Sequence, residues 1–225
     1  MALIRSAAHA AGRIAGLTAI AVFGLSLVYA LVLSLGLIAL KGSPDPIGDP
    51  WFTLMEILIL LMAPLFPVLW AAIHVQAPPA ARAFTLAGLM FVSLAVALTS
   101  SVHVLVLALG QGPGDAGSEW LDFRWPSAAY AVDLLAWDVF FGLATLLAAP
   151  AFGGDGLDAR IRALLIASGA LSLAGLLGPL TGDMNLRLLG VAGYAVVFPV
   201  AAGLIAIRFR LVHHRPVAGP QAPLC

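Results

Sequence analysis

Four ionisable residues lie within long apolar stretches of this sequence: Glu56, His103, Asp133 and Asp138. A charged side chain at membrane depth costs about 2.5–3.5 kcal/mol on insertion scales, so such a residue normally faces the interior of a helix bundle or a polar pathway. At about 1.5 Å per residue, Glu56, His103 and Asp133 each lie roughly 7–9 Å from the same end of the predicted bundle. We therefore expect these three side chains to share one level, in the outer third of the bilayer.

Two carboxylates that flank an imidazole leave three chemical alternatives open. Glu56, His103 and Asp133 could bind a divalent metal ion, because carboxylate oxygen and imidazole nitrogen suit zinc, iron and manganese. The same three groups could carry protons or a solute, since intramembrane carboxyl and imidazole groups form proton relays. They could also form a structural hydrogen-bonded network that only fixes how the helices pack.

Three further residues are candidates for the same site. Ser100 precedes His103 by three residues and so shares its helix face, and Tyr194 reaches the same level on the last apolar stretch. Asp138 follows Asp133 by five residues, which places it about 140° further around an α-helix and roughly 7–8 Å deeper. We expect Asp138 to contact a different neighbour or to extend the polar path inward.

The elements that position these residues are predicted to be transmembrane helices. A spanning helix needs about 20 mostly apolar residues, and the sequence has six such stretches, approximately 14–40, 51–74, 84–109, 128–152, 163–180 and 188–207. Hydrophobic residues make up 62% of the chain and charged residues 10%, against about 25% charged in soluble domains. The mean hydropathy is +1.05. We predict an all-α bundle in which residues 1–225 form one integral membrane domain.

Proline residues are expected to interrupt three of these helices, because proline lacks a backbone N–H and clashes with the preceding turn. Pro64 and Pro67 lie within the second stretch, and Pro199 lies within the sixth. The Gly178-Pro179 pair is expected to break the end of the fifth. Broken helices expose backbone groups that can line a cavity.

The distribution of basic residues predicts the orientation of the bundle. With the N-terminus inside, eight of the 11 Lys and Arg residues fall on the inner side, and Lys41, Arg124 and Arg187 fall on the outer side. Both termini are therefore predicted to be cytoplasmic. The excess of Arg over Lys, with abundant Ala, Gly and Pro, is typical of a GC-rich genome, and we expect a bacterial inner (plasma) membrane.

Several classes of function find no support in the sequence. The formal net charge is zero, so nothing indicates a nucleic-acid partner. No Walker A, GxGxxG or HExxH motif is present. His74 and His103 fall near opposite ends of their helices and could not hold one haem between them. No cofactor is predicted apart from the divalent metal of the alternative above, and the lone Cys225 allows no internal disulfide.

The leading functional prediction is a small proton- or cation-linked permease with a polar site in the outer third of the bilayer. In this interpretation Glu56 and Asp133 exchange protons or cations, His103 tunes them, and Ser100 and Tyr194 supply hydrogen bonds. The lipid bilayer and a small solute or ion are the expected partners. The alternatives are an intramembrane metal-dependent enzyme and a non-catalytic membrane scaffold or assembly partner.

Overall fold

In the computed structural model, residues 2–40, 47–109 and 118–213 are described, and all regular elements among them are helical. Six helices are long and apolar enough to cross a membrane, which confirms the predicted all-α class and helix number. They are α1 (Ala2–Ala39), α2 (Trp51–Gln76), α3 (Pro79–Leu109), α4 (Ala128–Ala151), α5 (Leu157–Thr181) and α6 (Met184–His213). A short helix, Ser118–Leu121, precedes α4.

Five of the six helices change geometry along their length. In α2 the helix Trp51–Met62 is followed by Leu65–Gln76, and α3 begins with a 3-10 turn, Pro79–Ala81. The segments of α4 are an α-helix Ala128–Leu134, a π-helix Leu135–Phe141, an α-helix Gly142–Ala148 and a 3-10 turn Ala149–Ala151. Those of α5 are Leu157–Ala174 and Leu177–Thr181. Those of α6 are a 3-10 turn Met184–Arg187, Leu188–Ala192, a π-helix Gly193–Val197 and an α-helix Phe198–His213.

Two helices begin six or more residues earlier than the hydropathy pattern predicts. The first starts at Ala2 rather than at residue 14. The fifth starts at Leu157 rather than at residue 163, because the carboxylate of Asp158 in its first turn is paired: Arg208 Nε donates to Asp158 Oδ1 at 2.7 Å. An ion pair with the neighbouring α6 thus allows the helix to include residues 157–162, which the hydropathy pattern assigns to a polar loop.

Pro64, Pro179 and Pro199 lie at or next to the boundaries between helical segments. Pro64 follows the first half of α2, as expected. In α5 the break comes at Gly175 and Leu176, before Pro179, which lies in the first turn of Leu177–Thr181, where a missing N–H is tolerated. Pro199 is the second residue of the last α-helix, and the π-helix ends directly before that helix. Without an N–H at Pro199, the carbonyl four residues earlier lacks its usual donor, which is consistent with the irregular turn there.

The helices form a ring in chain order. Each packs against the next, and α6 closes the ring on α1. We call the end at which α2, α4 and α6 begin the upper end; charge asymmetry predicts that it faces outward. Below the upper half of the bundle, four buried aromatic side chains fill the space that the six helices enclose. The ring centroids of Phe141 and Phe198 are only 4.9 Å apart. This aromatic cluster consists of Phe66, Trp70, Phe141 and Phe198.

Two glycines allow α4 and α5 to pack closely. A Cβ added at Gly169 would lie 2.5 Å from the carbonyl oxygen of Gly142 and 2.6 Å from Leu146 Cγ. A Cβ added at Gly142 would meet the Gly169 carbonyl oxygen at 3.2 Å. Close backbone approach at small residues is a principal source of helix association in membranes, where lipid removes the hydrophobic driving force between helices.

We predict that Gly169→Ala lowers the free energy of unfolding in detergent by about 1–3 kcal/mol, because the added methyl group would overpack the α4–α5 contact. Gly24→Ala on α1 is the matched control, since a Cβ there meets nothing within 4 Å. The control should leave stability unchanged or raise it by up to about 1 kcal/mol through helix propensity. Denaturant titration of both variants measures the difference, and equal stabilities would contradict the close contact.

Candidate functional site

The structure brings Glu56, His103 and Asp133 together from three different helices. The Nδ1 atom of His103 lies 2.5 Å from Glu56 Oε2, and its Nε2 atom lies 3.4 Å from Asp133 Oδ1. His103 is 1% exposed, Glu56 is 2% exposed and Asp133 is 7% exposed. The imidazole therefore lies between two carboxylates inside the bundle, with Nδ1 hydrogen-bonded to Glu56 and Nε2 in a longer ion-pair contact with Asp133.

Arg187 extends this contact into a longer chain. Its Nη2 atom lies 3.9 Å from Asp133 Oδ2 and its Nε atom lies 3.1 Å from Asp138 Oδ2. Arg187 Nη2 also donates a hydrogen bond to Tyr194 Oη at 2.8 Å. The five ionisable side chains form one continuous series, which we call the charged chain: Glu56, His103, Asp133, Arg187 and Asp138.

The burial of Arg187 corrects its assignment to the outer boundary. Arg187 is 4% exposed, because the 3-10 turn Met184–Arg187 carries it into the bundle. Asp183 begins this turn by accepting a hydrogen bond from Asn185 N at 3.0 Å. Gly178 leaves room beside it, since a Cβ there would lie 3.0 Å from Arg187 N. One sequence pattern favours this inward position: Arg187 and Tyr194 are seven residues apart, a spacing that puts both on one helix face.

Asp138 is held in a cradle of two glycines, and it is fully buried. A Cβ added at Gly175 on α5 would lie 2.7 Å from Asp138 Oδ1, and one added at Gly190 on α6 would overlap that same oxygen. Only hydrogen fits at these two positions. The glycines therefore admit the carboxylate between α5 and α6, where it reaches Arg187.

The π-helix of α4 explains why Asp133 and Asp138 contact the same partner. A regular α-helix would separate them by about 140°, from which we expected either different neighbours or an inward path. A π-helical turn instead pairs residue i with residue i+5, and both carboxylates reach Arg187. The second π-helix, in α6, faces the first, with the rings of Trp137 and Tyr194 centred 5.2 Å apart.

The two hydroxyl candidates have different surroundings. Tyr194 joins the site through its hydrogen bond from Arg187. Ser100 is half-buried and does not line the cavity beside the charged chain. Its neighbour Thr99 takes the inward position instead, is 2% exposed, and accepts a hydrogen bond from Trp137 Nε1 at 3.0 Å. One residue corresponds to about 100° of helix rotation, which accounts for the difference.

A cavity of about 260 Å³ lies against the charged chain. One wall carries the polar side chains Glu56, His103, Asp133 and Arg187. Half of the other lining residues are aromatic: Tyr29, Phe52, Phe66, Phe123, Tyr130, Trp137, Tyr194 and Phe198. Two rings of the aromatic cluster thus form the cavity floor.

The arrangement does not fit the metal site that the residue types suggested. Within the described ranges, no group of three or more His, Cys, Asp or Glu side chains is placed to hold a metal ion. Glu56 and Asp133 contact opposite nitrogens of the His103 ring, and these nitrogens point away from each other. One ion could therefore not bind an imidazole nitrogen and both carboxylates at once.

The charged chain is held more by ion pairing than by aligned hydrogen bonds. Among the described residues, no hydrogen-bond partner is present for His103 Nε2, for Asp133 Oδ1, for either Asp138 oxygen, or for Nε and Nη1 of Arg187. The 3.1 Å contact of Arg187 Nε with Asp138 Oδ2 is therefore a close ion pair whose N–H does not point along the contact. Buried polar groups without hydrogen bonds lower the free energy of unfolding. The opposite charges of the chain must therefore compensate one another.

We predict that Arg187→Gln destabilises the protein by about 3–5 kcal/mol, because it leaves Asp138 as an uncompensated buried charge. Adding Asp138→Asn should restore much of that stability, since the double variant buries neither charge. Arg160→Gln, at an exposed position of α5, is the control and should change stability by less than about 0.5 kcal/mol. Melting temperatures in detergent provide the measurement. A double variant less stable than Arg187→Gln would contradict the pairing.

No protein-family model matches this chain, and no curated protein or solved structure is significantly similar to it. No role can therefore be carried over to its residues from a relative. The geometry and chemistry of the charged chain and its cavity are the basis for interpreting the site of this multi-pass, six-helix membrane protein.

Proposed function

We propose that this protein is a small proton-linked permease of the bacterial inner membrane, with both termini cytoplasmic. The observation that carries the proposal is a continuous chain of ionisable side chains on the wall of a cavity inside a membrane-spanning bundle. Intramembrane ionisable residues that line a cavity characteristically mark ion and proton pathways. The burial of Arg187 strengthens the predicted orientation, because it leaves only Lys41 and Arg124 as basic residues of the outer loops.

The charges of the site do not balance without a proton or another cation. Glu56, Asp133 and Asp138 supply three carboxylates, whereas Arg187 supplies one permanent positive charge. Even with His103 protonated, one negative charge remains. Uncompensated charge is expensive in a membrane interior, so the site should hold a proton on a carboxyl group or admit a cation into the cavity.

The contacts of His103 suit the transfer of protons. A proton accepted at Nδ1 from Glu56 can be matched by a proton released at Nε2 toward Asp133 when the 3.4 Å contact between Nε2 and Asp133 Oδ1 shortens to a hydrogen bond, since the two ring nitrogens can exchange roles. Arg187 holds Asp133 and Asp138 in place. In this proposal Glu56 and Asp133 exchange protons with the cavity, and His103 connects them.

The lower boundary of the cavity supports alternating access. Below the charged chain, the aromatic cluster fills the bundle interior. Movement of a solute to the lower end would require these rings to separate. The break of α2 after Met62 lies between Glu56 and Phe66, so the two halves of α2 could move separately. Transporters commonly place their binding sites at such broken helices.

We predict that a pH jump applied to proteoliposomes on a solid-supported membrane produces a transient current, because protons bind within the membrane field. Glu56→Gln and Asp133→Asn should each reduce this current at least about tenfold, since amides hydrogen-bond but do not exchange the proton. Asp183→Asn is the matched control, because Asp183 is exposed and an asparagine oxygen can still cap Asn185. It should retain the wild-type current.

Equal currents in all four proteins, or none in the wild type, would overturn the proposal. Should the site variants fail to fold, the wild type alone still gives a test. Infrared difference spectra between acidic and neutral pH should show a carboxyl carbonyl band that is shielded from slow solvent exchange. A spectrum without such a band would indicate that the charged chain is a fixed structural network.

A further inference from the structure

The cavity combines excess negative charge with aromatic walls. Glu56 and Asp133 both line it, and Asp133 Oδ1 is buried without a hydrogen-bond partner among the described residues. Half of the remaining lining residues are aromatic, and all the others except Ser26 are apolar. Aromatic faces carry negative charge density and attract cations, especially substituted ammonium groups. Both features favour a positively charged ligand.

An anionic ligand is disfavoured because the one guanidinium in the wall is already engaged. Arg187 Nη2 donates to Tyr194 and lies 3.9 Å from Asp133 Oδ2, and Arg187 Nε lies 3.1 Å from Asp138 Oδ2. An anion would have to displace Asp133 or Asp138 to reach it. Its own charge would also add to the negative excess.

A bare inorganic cation is disfavoured for a different reason. Hard metal ions need about six or more oxygen ligands, supplied by the protein or by water that the ion keeps. Within the part of the chain that the structure describes, the carboxylate oxygens of the cavity come from Glu56 and Asp133 alone, and most of the other lining residues are aromatic or aliphatic. A ligand that carries its charge on a substituted nitrogen needs no such oxygen ligands, and its apolar part can contact the rings.

We propose that the cavity binds a small monovalent organic cation, a substituted amine, in exchange for the proton that otherwise balances the charged chain. The ammonium group lies beside Glu56 and Asp133, and the apolar body lies among Tyr29, Trp137 and Tyr194. The volume of about 260 Å³ is just below the range of about 300–1,000 Å³ that accommodates drug-sized ligands, so the ligand is small. This inference rests on the proposed function and names its substrate class.

The test compares probes of one shape that differ in one charge. Choline and 3,3-dimethylbutan-1-ol share a tert-butyl-like head and a hydroxyethyl arm, but only choline is cationic. In detergent solution, choline and benzyltrimethylammonium should change the tryptophan fluorescence and raise the melting temperature of the protein. The neutral alcohol and sodium chloride at equal concentration should do neither.

Variants locate the binding site. Asp133→Asn should weaken choline binding at least about tenfold, as expected for loss of a charged contact. Trp137→Leu should weaken it several-fold by removing a cation-binding ring. Trp125→Phe is the matched control, because Trp125 lies outside the cavity lining and is 39% exposed. Its affinity for choline should be that of the wild type.

Proton release separates this inference from the proposed function. Choline binding in weakly buffered solution should release protons from the wild type. Binding of the alcohol as tightly as choline, or no binding of either organic cation, would overturn the inference while leaving pH-jump currents as independent support for proton linkage. If choline binds selectively but no proton is released, the cavity is still a cation site, but the proposed exchange of the cation for a proton is wrong. If Asp133→Asn fails to fold, the comparison of choline with 3,3-dimethylbutan-1-ol on the wild type still tests whether the cavity selects a cation.

Discussion

The burial of three carboxylates in an apolar bundle is the constraint on which the rest of this structure depends. Each carboxylate must be compensated within the protein, because lipid offers neither water nor counter-ions. Arg187 and His103 supply that compensation, and both are shared between two carboxylates. Sharing leaves a negative excess at the edge of a cavity. The need for a mobile positive charge therefore follows from the same contacts that hold the helices together.

The irregular backbone segments serve this constraint. The 3-10 turn at the start of α6 carries Arg187 inward, and the π-helix of α4 turns Asp138 toward it. Gly175 and Gly190 provide the space that the carboxylate needs. Away from the charged chain, the bundle packs through ordinary features such as the Gly142–Gly169 approach. Both π-helices and the 3-10 turn that begins α6 thus lie around the site.

Sequence reasoning could predict the part of the site that depends on depth but not the part that depends on rotation. Counting residues at about 1.5 Å each was sufficient to place Glu56, His103 and Asp133 on one level. The choice between Ser100 and Thr99 required the rotation of α3, which hydropathy does not fix. The position of Asp138 required the π-helix, which has no pattern in composition. Arg187 was missed because a basic residue near a predicted helix end reads as an interfacial anchor.

The π-helices also allow the site to be lost without loss of the six-helix fold. A π-helical turn accommodates one residue more than an α-helical turn, so each segment is equivalent to a single-residue insertion into a regular helix. Deleting one residue from Leu135–Phe141 would allow a continuous α-helix of nearly the same length. Every side chain on one side of the deletion would rotate by about 100°, and Asp138 would leave its glycine cradle. A lineage could thus gain or lose this site through one codon while the six-helix bundle persists.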